Sequence, residues 1–199
     1  MIYGIIAAII SGMGCGYLWL STAARPILDE ILLTALAFMV FVAGVEIGGN
    51  SHIIKKICNP KGFALMAAIP TAVVIGSLVG GGIAGTLTGM KVEDAVLVSA
   101  GLGWYSLSSV VISTMYSVEI GTISFLTNVL RETLSFALIP LIARYNKIMS
   151  IGIGGASTMD STLPVIIKYT DLHTGIRGFV NGLALTLLVP FLLSVLMPK

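Results

Sequence analysis

The sequence contains few charged residues. Of its 199 residues only 10% are Asp, Glu, Lys or Arg, whereas 56% are hydrophobic. A soluble domain usually carries roughly a quarter charged residues, so this scarcity excludes an ordinary soluble protein. The net charge is +2 and no Lys/Arg cluster is interleaved with aromatic residues, so nothing indicates nucleic-acid binding. A spanning helix needs roughly 20 apolar residues, which leaves room for about five to seven membrane segments.

Cysteine and histidine are equally scarce, with two residues of each. Cys15 lies in an apolar run and Cys58 in a basic loop, so they predict neither a disulfide framework nor a metal site. His52 and His173 fall in predicted loops without a second residue at metal-ligand spacing, so we expect no metal and no cofactor. An intramembrane serine protease needs an embedded base and an aspartyl protease needs two embedded aspartates. The sequence supplies neither, so we expect that the protein is not an enzyme.

The sequence does have long apolar runs, separated by short polar connections. They cover 2–20, 31–49, 62–89, 95–114, 120–143, 151–167 and 176–197. The first run has no basic residue before Arg25, unlike a secretory signal peptide, so we interpret it as a retained helix. The pattern predicts one membrane domain over 1–199, made of a three-helix unit, 1–90, and a broken-helix unit, 91–199, that carries the substrate site.

The distribution of basic residues indicates that one of these runs does not cross the membrane. Cytoplasmic loops are enriched in Lys and Arg. If the basic loop 55–61 is cytoplasmic, a single crossing by 95–114 would place Arg144 and Lys147 outside, against this rule. The same run contains SAGLGWYSLSSVVIS, and its glycines and serines disfavour a continuous lipid-facing helix. We therefore predict that this segment enters the membrane and returns on the same side.

The segment GGASTMDSTLP, residues 154–164, is interrupted in the same way, and Lys168 and Arg177 place both of its ends on the cytoplasmic side. The predicted fold is an all-α polytopic membrane protein with about five spanning helices and two broken, re-entrant hairpins. The N-terminus is expected inside and the C-terminus outside. Seven plain crossings are the alternative.

Polar side chains inside the predicted spans are the first candidate functional residues, because exposing them to lipid is costly. In GTISFLTNVLRETLSFALIP, Asn128 and Glu132 lie one helical turn apart on a polar stripe. Arg131 lies roughly 100° from Glu132 around the helix, so the two do not pair. We expect Asp160 to pair with Arg131, since a buried guanidinium needs a carboxylate. Glu132 would then be free to hold a cation; a polar network that only ties helices together is the alternative.

The two broken segments contain most of the remaining candidates. A helix that stops inside the membrane exposes N–H groups with a partial positive charge, and transporters hold anionic substrate groups at such ends. The candidates there and in the last helix are Trp104, Tyr105, Ser106, Ser157, Thr158 and Asn181. An aromatic belt at the membrane surface is the alternative for the two aromatic residues. A hydrogen bond between helices is the alternative for Asn181.

Three acids are candidates for holding a coupling proton or ion: Glu132, Asp160 and Glu46. Glu46 lies about one turn from the end of its predicted helix, so an interfacial position is its alternative. Positive helix ends and an embedded acid together would suit an amino acid with a cationic side chain. An inorganic cation or an organic anion would fit nearly as well.

Four motifs resemble, in this order, the lysine exporter (LysO) family of bacteria: SAGLGWYSLSSVVIS, FLTNVLRETLSFALIPLIAR, GGASTMDSTLPVI and GFVNGLALTLLVP. They cover most of 99–190, and FMVFVAGVEIGGN resembles the family's preceding helix. The resemblance implies export of L-lysine, and of lysine analogues, across the bacterial cytoplasmic (inner) membrane. It implies that export needs Glu132. Asn128, Arg131 and Asp160 match motif positions without assigned roles. At Glu46 the match is weaker, because the family's helix keeps its glycines better than this acid.

Longer members of this family have an additional N-terminal part of about three membrane segments, so the sequence resembles their C-terminal portion. The resemblance therefore implies half of an inverted-repeat-type transporter. It also implies a homo-oligomer or a complex with a small membrane protein that supplies the missing N-terminal half. We predict a secondary transporter in which Glu132 holds either a proton or the substrate's ammonium group, so that lysine leaves as protons enter. A non-transporting assembly subunit and a channel for another small solute are the alternatives.

Overall fold

The computed structural model describes residues 2–19 and 60–198, together with scattered positions between 27 and 49. In chain order the helices are α1 (Ile2–Trp19), α2 (Pro60–Thr88), α3 (Val92–Ser99), α4 (Tyr105–Met115), α5 (Val118–Ile142), α6 (Lys147–Gly154), a 3₁₀ turn (Gly155–Met159), α7 (Leu163–Tyr169) and α8 (Leu172–Leu196). Every regular element of this described part is helical, which confirms the all-α class. The candidate Glu46 lies outside the described residues.

The long helices α2, α5 and α8 form the frame of the described chain. Among the described residues, these three helices are long and apolar enough to cross a membrane. They coincide with the predicted spans at 62–89, 120–143 and 176–197. α1, with 18 residues, coincides with the first predicted run. Most of the run at 31–49 lies outside the described residues.

The segment between α2 and α5 is a hairpin whose arms are α3 and α4; we call it hairpin 1 (residues 92–115). The Tyr116 hydroxyl, directly after α4, donates to Asp94 Oδ1 in the first turn of α3 at 2.7 Å, so both arms have their outer ends at the same place. This hydrogen bond raises the pKa of Tyr116. The arms have 8 and 11 residues, too few to cross an apolar layer of roughly 30 Å at about 1.5 Å per residue. The segment enters and returns, as predicted.

Hairpin 2 (residues 147–169) consists of α6, the 3₁₀ turn and α7. Lys147, the first residue of α6, forms an ion pair with Asp171, two residues after α7, with Nζ 2.7 Å from Oδ2. Its arms, α6 and α7, have 8 and 7 residues and are again too short to cross. The prediction of two broken hairpins is confirmed, and the alternative of seven plain crossings does not fit these bounds.

The two hairpins enter from opposite ends of α5, and their tips meet between these ends. Hairpin 1 leads directly into the first turn of α5, whereas hairpin 2 follows the last turn. At the tips, the Ala156 N–H donates to the Leu102 carbonyl oxygen at 2.9 Å. Gly103 and Gly155 have φ of 101° and 65°, values that glycine adopts at little cost. These glycines let the two backbones approach closely.

The core lies between the hairpins and α8. Its fully buried apolar side chains come from both hairpins and from the second half of α8: Leu97, Leu102, Ile112, Ile151, Leu185, Val189 and Leu193. The outward faces of the long helices remain apolar and exposed, for example at Val79, Leu130 and Leu187, as expected for a surface that contacts lipid. The buried apolar side chains named above thus pack both hairpins against α8.

Asp171 closes the base of hairpin 2 and also caps α8. Its Oδ1 accepts hydrogen bonds from the Thr174 N–H at 2.8 Å and the Thr174 hydroxyl at 3.0 Å, while Oδ2 pairs with Lys147. Partial burial by itself would raise the pKa of Asp171, but the hydrogen bonds from Lys147 and Thr174 outweigh it and lower the pKa to about 2. The ionised carboxylate is thus the form that the fold stabilises.

We expect Asp171→Ala to lower the free energy of unfolding by about 1 kcal/mol at neutral pH, because α8 loses its cap. Since the folded pKa lies below the ordinary 3.8, the stabilisation by the carboxylate is present above about pH 4 and is lost as the pH falls toward 2. Thermal unfolding of the detergent-solubilised protein at neutral pH and near pH 2 measures this. Asp171→Asn, which keeps a capping oxygen, is the control and should lose less. An alanine variant as stable as the wild type at neutral pH would contradict the prediction.

Candidate functional site

A cavity of about 130 Å³ lies beside the two tips, and we call it the tip cavity. Its walls come from the tip of hairpin 1 with the first turn of α4, the middle of α5, the break in hairpin 2 and α8. Six residues that the sequence indicated as candidates line it: Trp104, Tyr105, Ser106, Glu132, Ser157 and Asp160. Residues from three separate motifs therefore come together at one place in the fold.

Two carboxylates face the tip cavity, and one serine bridges them. The Ser161 hydroxyl donates to Glu132 Oε1, and the Ser161 N–H donates to Asp160 Oδ1 at 2.6 Å. Glu132 comes from α5 and Asp160 from the break in hairpin 2, so the pair exists only in the folded protein. Two carboxylates at the wall of one small cavity concentrate negative charge, which a proton or an ammonium group would neutralise.

The N-terminal end of α4 supplies the opposite charge. Trp104 is the residue before its first turn, and no side chain caps this end. N–H groups of a first helical turn have no acceptor within the helix and carry a partial positive charge. Tyr105 and Ser106 of this turn line the cavity. The tip cavity thus has a positive edge and an acidic wall.

The aromatic residues at this end belong to the cavity. Trp104 and Tyr105 both line it, and the Tyr105 ring packs edge-on against Phe125 of α5 with centroids 5.6 Å apart. Contacts of this kind contribute about 0.5–1.5 kcal/mol beyond the area they bury. The alternative of an aromatic belt at the membrane surface does not fit this placement.

Arg131 faces away from the tip cavity, and the expected ion pair with Asp160 is wrong. Its Nη1 donates to Ser77 Oγ at 3.1 Å, and its Nη2 is 3.4 Å from the Gly152 carbonyl oxygen. The guanidinium therefore lies at the C-terminal end of α6, where unsatisfied carbonyl groups carry partial negative charge. Glu132, the next residue, faces the other side of α5, as a rotation of roughly 100° per residue requires.

Arg131 also lines a second, larger space. This groove of about 670 Å³ lies between α2 and α6, and apart from Arg131 and Ser77 its lining is apolar or glycine. It contains no carboxylate among the described residues. Neither Glu132 nor Asp160 lines this groove, so Arg131 and Glu132 do not share one site.

Asn128 supports hairpin 1 from behind. Its Oδ1 accepts a hydrogen bond from the Gly103 N–H at 2.8 Å, and its Nδ2 is 3.3 Å from the Val98 carbonyl oxygen. Both partners lie at the break, where helical hydrogen bonds are lost and must be replaced inside a membrane. Asn128 therefore positions the tip, and it does not line the cavity.

Asn181 and Thr158 support hairpin 2 in the same manner. Asn181 Nδ2 donates to the Gly155 carbonyl oxygen and to Thr158 Oγ1, both at 3.1 Å. Thr158 Oγ1 donates to the Gly178 carbonyl oxygen of α8 at 2.7 Å. These buried residues connect the break to α8, which fits the interhelical alternative for Asn181 better than a direct substrate contact.

Sequence reasoning missed Thr186, a polar residue of the cavity. Thr186 of α8 lines it, and the Thr186 hydroxyl lies 3.4 Å from Met159 Sδ. Its only signal in the sequence was a hydroxyl side chain in an otherwise apolar run, five residues after Asn181. Threonine in a membrane helix commonly bonds to its own backbone, so this signal alone does not indicate a site.

Comparisons with known proteins show the family of this chain. The family model described as Lysine exporter LysO matches residues 6–197. "Lysine exporter LysO" of Escherichia coli is 31% identical over 159 residues, which cover 80% of this chain and 52% of that protein, so the chain spans about half its length. "Putative lysine exporter" of Haemophilus influenzae is 32% identical over 189 residues, covering 95% of this chain and 94% of that protein. No solved structure matches. The chain, a multi-pass all-α membrane protein, belongs to the lysine exporter LysO family.

Proposed function

We propose that the protein is a secondary transporter that exports L-lysine across the bacterial inner membrane. This proposal rests on one observation: the tip cavity combines two carboxylates, Glu132 and Asp160, with the uncapped positive end of α4. Lysine carries a carboxylate and two ammonium groups, so each charged group of the substrate has a complementary group in the cavity. The names of the two relatives support the same substrate.

The position of the cavity also suits a transporter. It lies where two broken segments meet, beside the middle of α5. Secondary transporters hold substrates and coupling ions at such breaks near the midplane, because the interrupted backbone supplies free polar groups there. On the same grounds, we do not expect the protein to be an enzyme.

In the mechanism we propose, Glu132 holds either a proton or an ammonium group of lysine. Binding of lysine on the cytoplasmic side displaces the proton, and release outside lets a proton return. Ser161 links Glu132 to Asp160, so the charge on one acid affects the other. Lysine moves out as protons move in. Glu46 remains a sequence-based candidate for this coupling.

We expect Asp160→Asn to reduce lysine exchange at least tenfold, because it removes one negative charge from the acidic wall while retaining an oxygen for the Ser161 N–H. A lost charge interaction of about 1.4 kcal/mol or more corresponds to such a factor. Radiolabelled lysine flux in proteoliposomes, with and without a pH gradient, is the measurement. Glu93→Gln, an exposed acid in α3, is the control and should leave flux unchanged. Wild-type flux and wild-type dependence on the pH gradient in Asp160→Asn would refute the role of this acid.

A non-transporting assembly subunit is the second candidate, favoured by the 52% coverage of the Escherichia coli protein. The 94% coverage of the Haemophilus influenzae protein favours a chain that acts by itself or as a homo-oligomer. Liposomes that contain only the purified chain distinguish the two. Saturable lysine exchange supports the transporter and excludes both the subunit and a passive channel, whereas flux that needs a second membrane protein supports the subunit.

A further inference from the structure

Hairpin 1 with α5 and hairpin 2 with α8 have the same construction. Each unit starts with an 8-residue helix and breaks at a tip that holds a glycine of positive φ. Each returns through a second short helix, of 11 residues in the first unit and 7 in the second. After a two-residue link, each continues into a helix of 25 residues. In both units the link ends in a side chain that caps the long helix, Ser117 in the first and Asp171 in the second.

The sequences of the two units match at a constant offset of 53 positions. The pattern N-x-L-x-x-T-L occupies 128–134 in α5 and returns at 181–187 in α8. At the same offset, Gly101 corresponds to Gly154 at the tips and Tyr116 to Tyr169 at the bases. Identical residues therefore occur at the tips, at the bases and in the long helices.

The repeated asparagine does the same work in each unit. Asn128 binds the Gly103 N–H at the tip of hairpin 1, and Asn181 binds the Gly155 carbonyl oxygen at the tip of hairpin 2. Each long helix thus holds the tip of its own hairpin through an amide at an equivalent position. Because the hairpins enter from opposite ends of α5, the second unit is inverted relative to the first.

The tip cavity lies between the two units and is lined by equivalent residues of both. Gly103 and Ala156 line it together, as do Trp104 with Ser157 and Ser106 with Met159, and each pair is 53 positions apart. The charged residues are not repeated, because the position equivalent to Glu132 is a leucine and so is the position equivalent to Asp160. The backbone frame is thus duplicated, while the acidic wall occurs once.

We propose that residues 92–142 and 145–195 are inverted copies of one hairpin-and-helix unit, and that the contact between their tips is the gate of the tip cavity. The contact consists of the Ala156 N–H and the Leu102 carbonyl oxygen, 2.9 Å apart, at the meeting point of the two copies. Inverted units can exchange conformations, so that one tip withdraws in the inward-open state and the other in the outward-open state. The gate rests on the proposed transport function, whereas the inverted arrangement does not.

The inverted arrangement is tested by labelling single cysteines from each face of the membrane, in a background that carries Cys15→Ser and Cys58→Ser. Lys91→Cys and Glu119→Cys flank hairpin 1, and Tyr145→Cys and Lys168→Cys flank hairpin 2; all four positions are exposed. We expect an impermeant maleimide to label the first two from one face and the last two from the other. Labelling of Lys91→Cys and Glu119→Cys from opposite faces, or of all four from one face, would overturn the repeat.

The gate is tested by joining the tips with the pair Leu102→Cys and Ala156→Cys in the same background. We expect oxidation to reduce lysine flux in proteoliposomes at least tenfold and reduction to restore it. The two single variants are the controls, and the flux of each after oxidation should equal the flux of the same variant after reduction. Full flux through the oxidised pair would overturn the gate while leaving the proposed transport function intact.

A second readout needs only the variant Ala156→Cys in the background that carries Cys15→Ser and Cys58→Ser. Ala156 is 3% exposed, so a thiol there should react slowly while the tips are in contact. If the tips part during transport, added lysine should raise the rate of maleimide labelling several-fold. A rate that lysine does not change would count against the gate even if the double variant failed to transport.

Discussion

Glu132→Gln is expected to abolish lysine export, with a loss of roughly 30- to 100-fold in proteoliposome flux. The substitution retains size and an oxygen that can accept from Ser161. It removes the negative charge that would hold a proton or an ammonium group. A hydrogen bond to a charged group contributes about 1.5–3 kcal/mol. Each 1.36 kcal/mol corresponds to a tenfold change in rate, so a loss of about 2–2.7 kcal/mol gives the expected factor. Counterflow of radiolabelled lysine, normalised to the amount of reconstituted protein, is the measurement.

The matched control is Glu119→Gln, which makes the same chemical change in the same helix. Glu119 lies exposed in the first turn of α5, far along the helix from the tip cavity. We expect its flux to stay within twofold of the wild type. A Glu132→Gln variant that is folded and retains wild-type flux would refute the proposed role of Glu132 in both proton exchange and ammonium binding.

Gly155→Ala is expected to have the largest effect on stability, with a loss of about 2–4 kcal/mol. Gly155 has φ of 65°, and a side chain in such a conformation costs about 1–3 kcal/mol. The added Cβ would also lie 2.5 Å from the Leu102 carbonyl oxygen and 2.8 Å from Arg131 Nη2. Either the tips must separate or the guanidinium must leave the end of α6. Thermal unfolding in detergent is the measurement.

Gly152→Ala, three residues earlier in α6, is the control for this prediction. Its added Cβ would meet only Val73 Cγ2, at 3.7 Å, which is ordinary van der Waals contact. Alanine is also favoured over glycine inside a helix by roughly 0.5–1 kcal/mol, so we expect equal or slightly higher stability. Equal unfolding temperatures for Gly155→Ala and Gly152→Ala would mean that the tips do not meet as closely as the structure shows.

Much of the arrangement around the tip cavity followed from the sequence because the membrane imposes strong constraints. Polar residues such as Asp160 and Ser157 in an apolar run must be sheltered from lipid, and broken backbone survives only inside protein or beside a cavity. The lysine and arginine distribution then favoured re-entrant segments over plain crossings. Together these constraints predicted the hairpins and indicated six residues that the fold brings to one cavity.

The partner of Arg131 could not be predicted by the same reasoning. Charge complementarity pointed to Asp160, the one aspartate at membrane depth. The structure instead satisfies the guanidinium with the Gly152 carbonyl oxygen and Ser77 Oγ. A helix end offers partial negative charge only where the break occurs and only to what packs against it. Sequence spacing gives the direction of a side chain around its own helix, and not what lies across from it.

Taken alone, the sequence was sufficient for the membrane class, the re-entrant segments and the presence of an acid inside the apolar layer, because these depend on hydropathy and helical period, which are local properties. The tertiary structure decided that Glu132 and Asp160 meet at Ser161, that Asn128 and Asn181 hold the tips, and that Arg131 faces another space. Those outcomes depend on how two inverted hairpins pack against α5 and α8. Packing joins residues that are distant in the chain, and its geometry is not contained in any single segment.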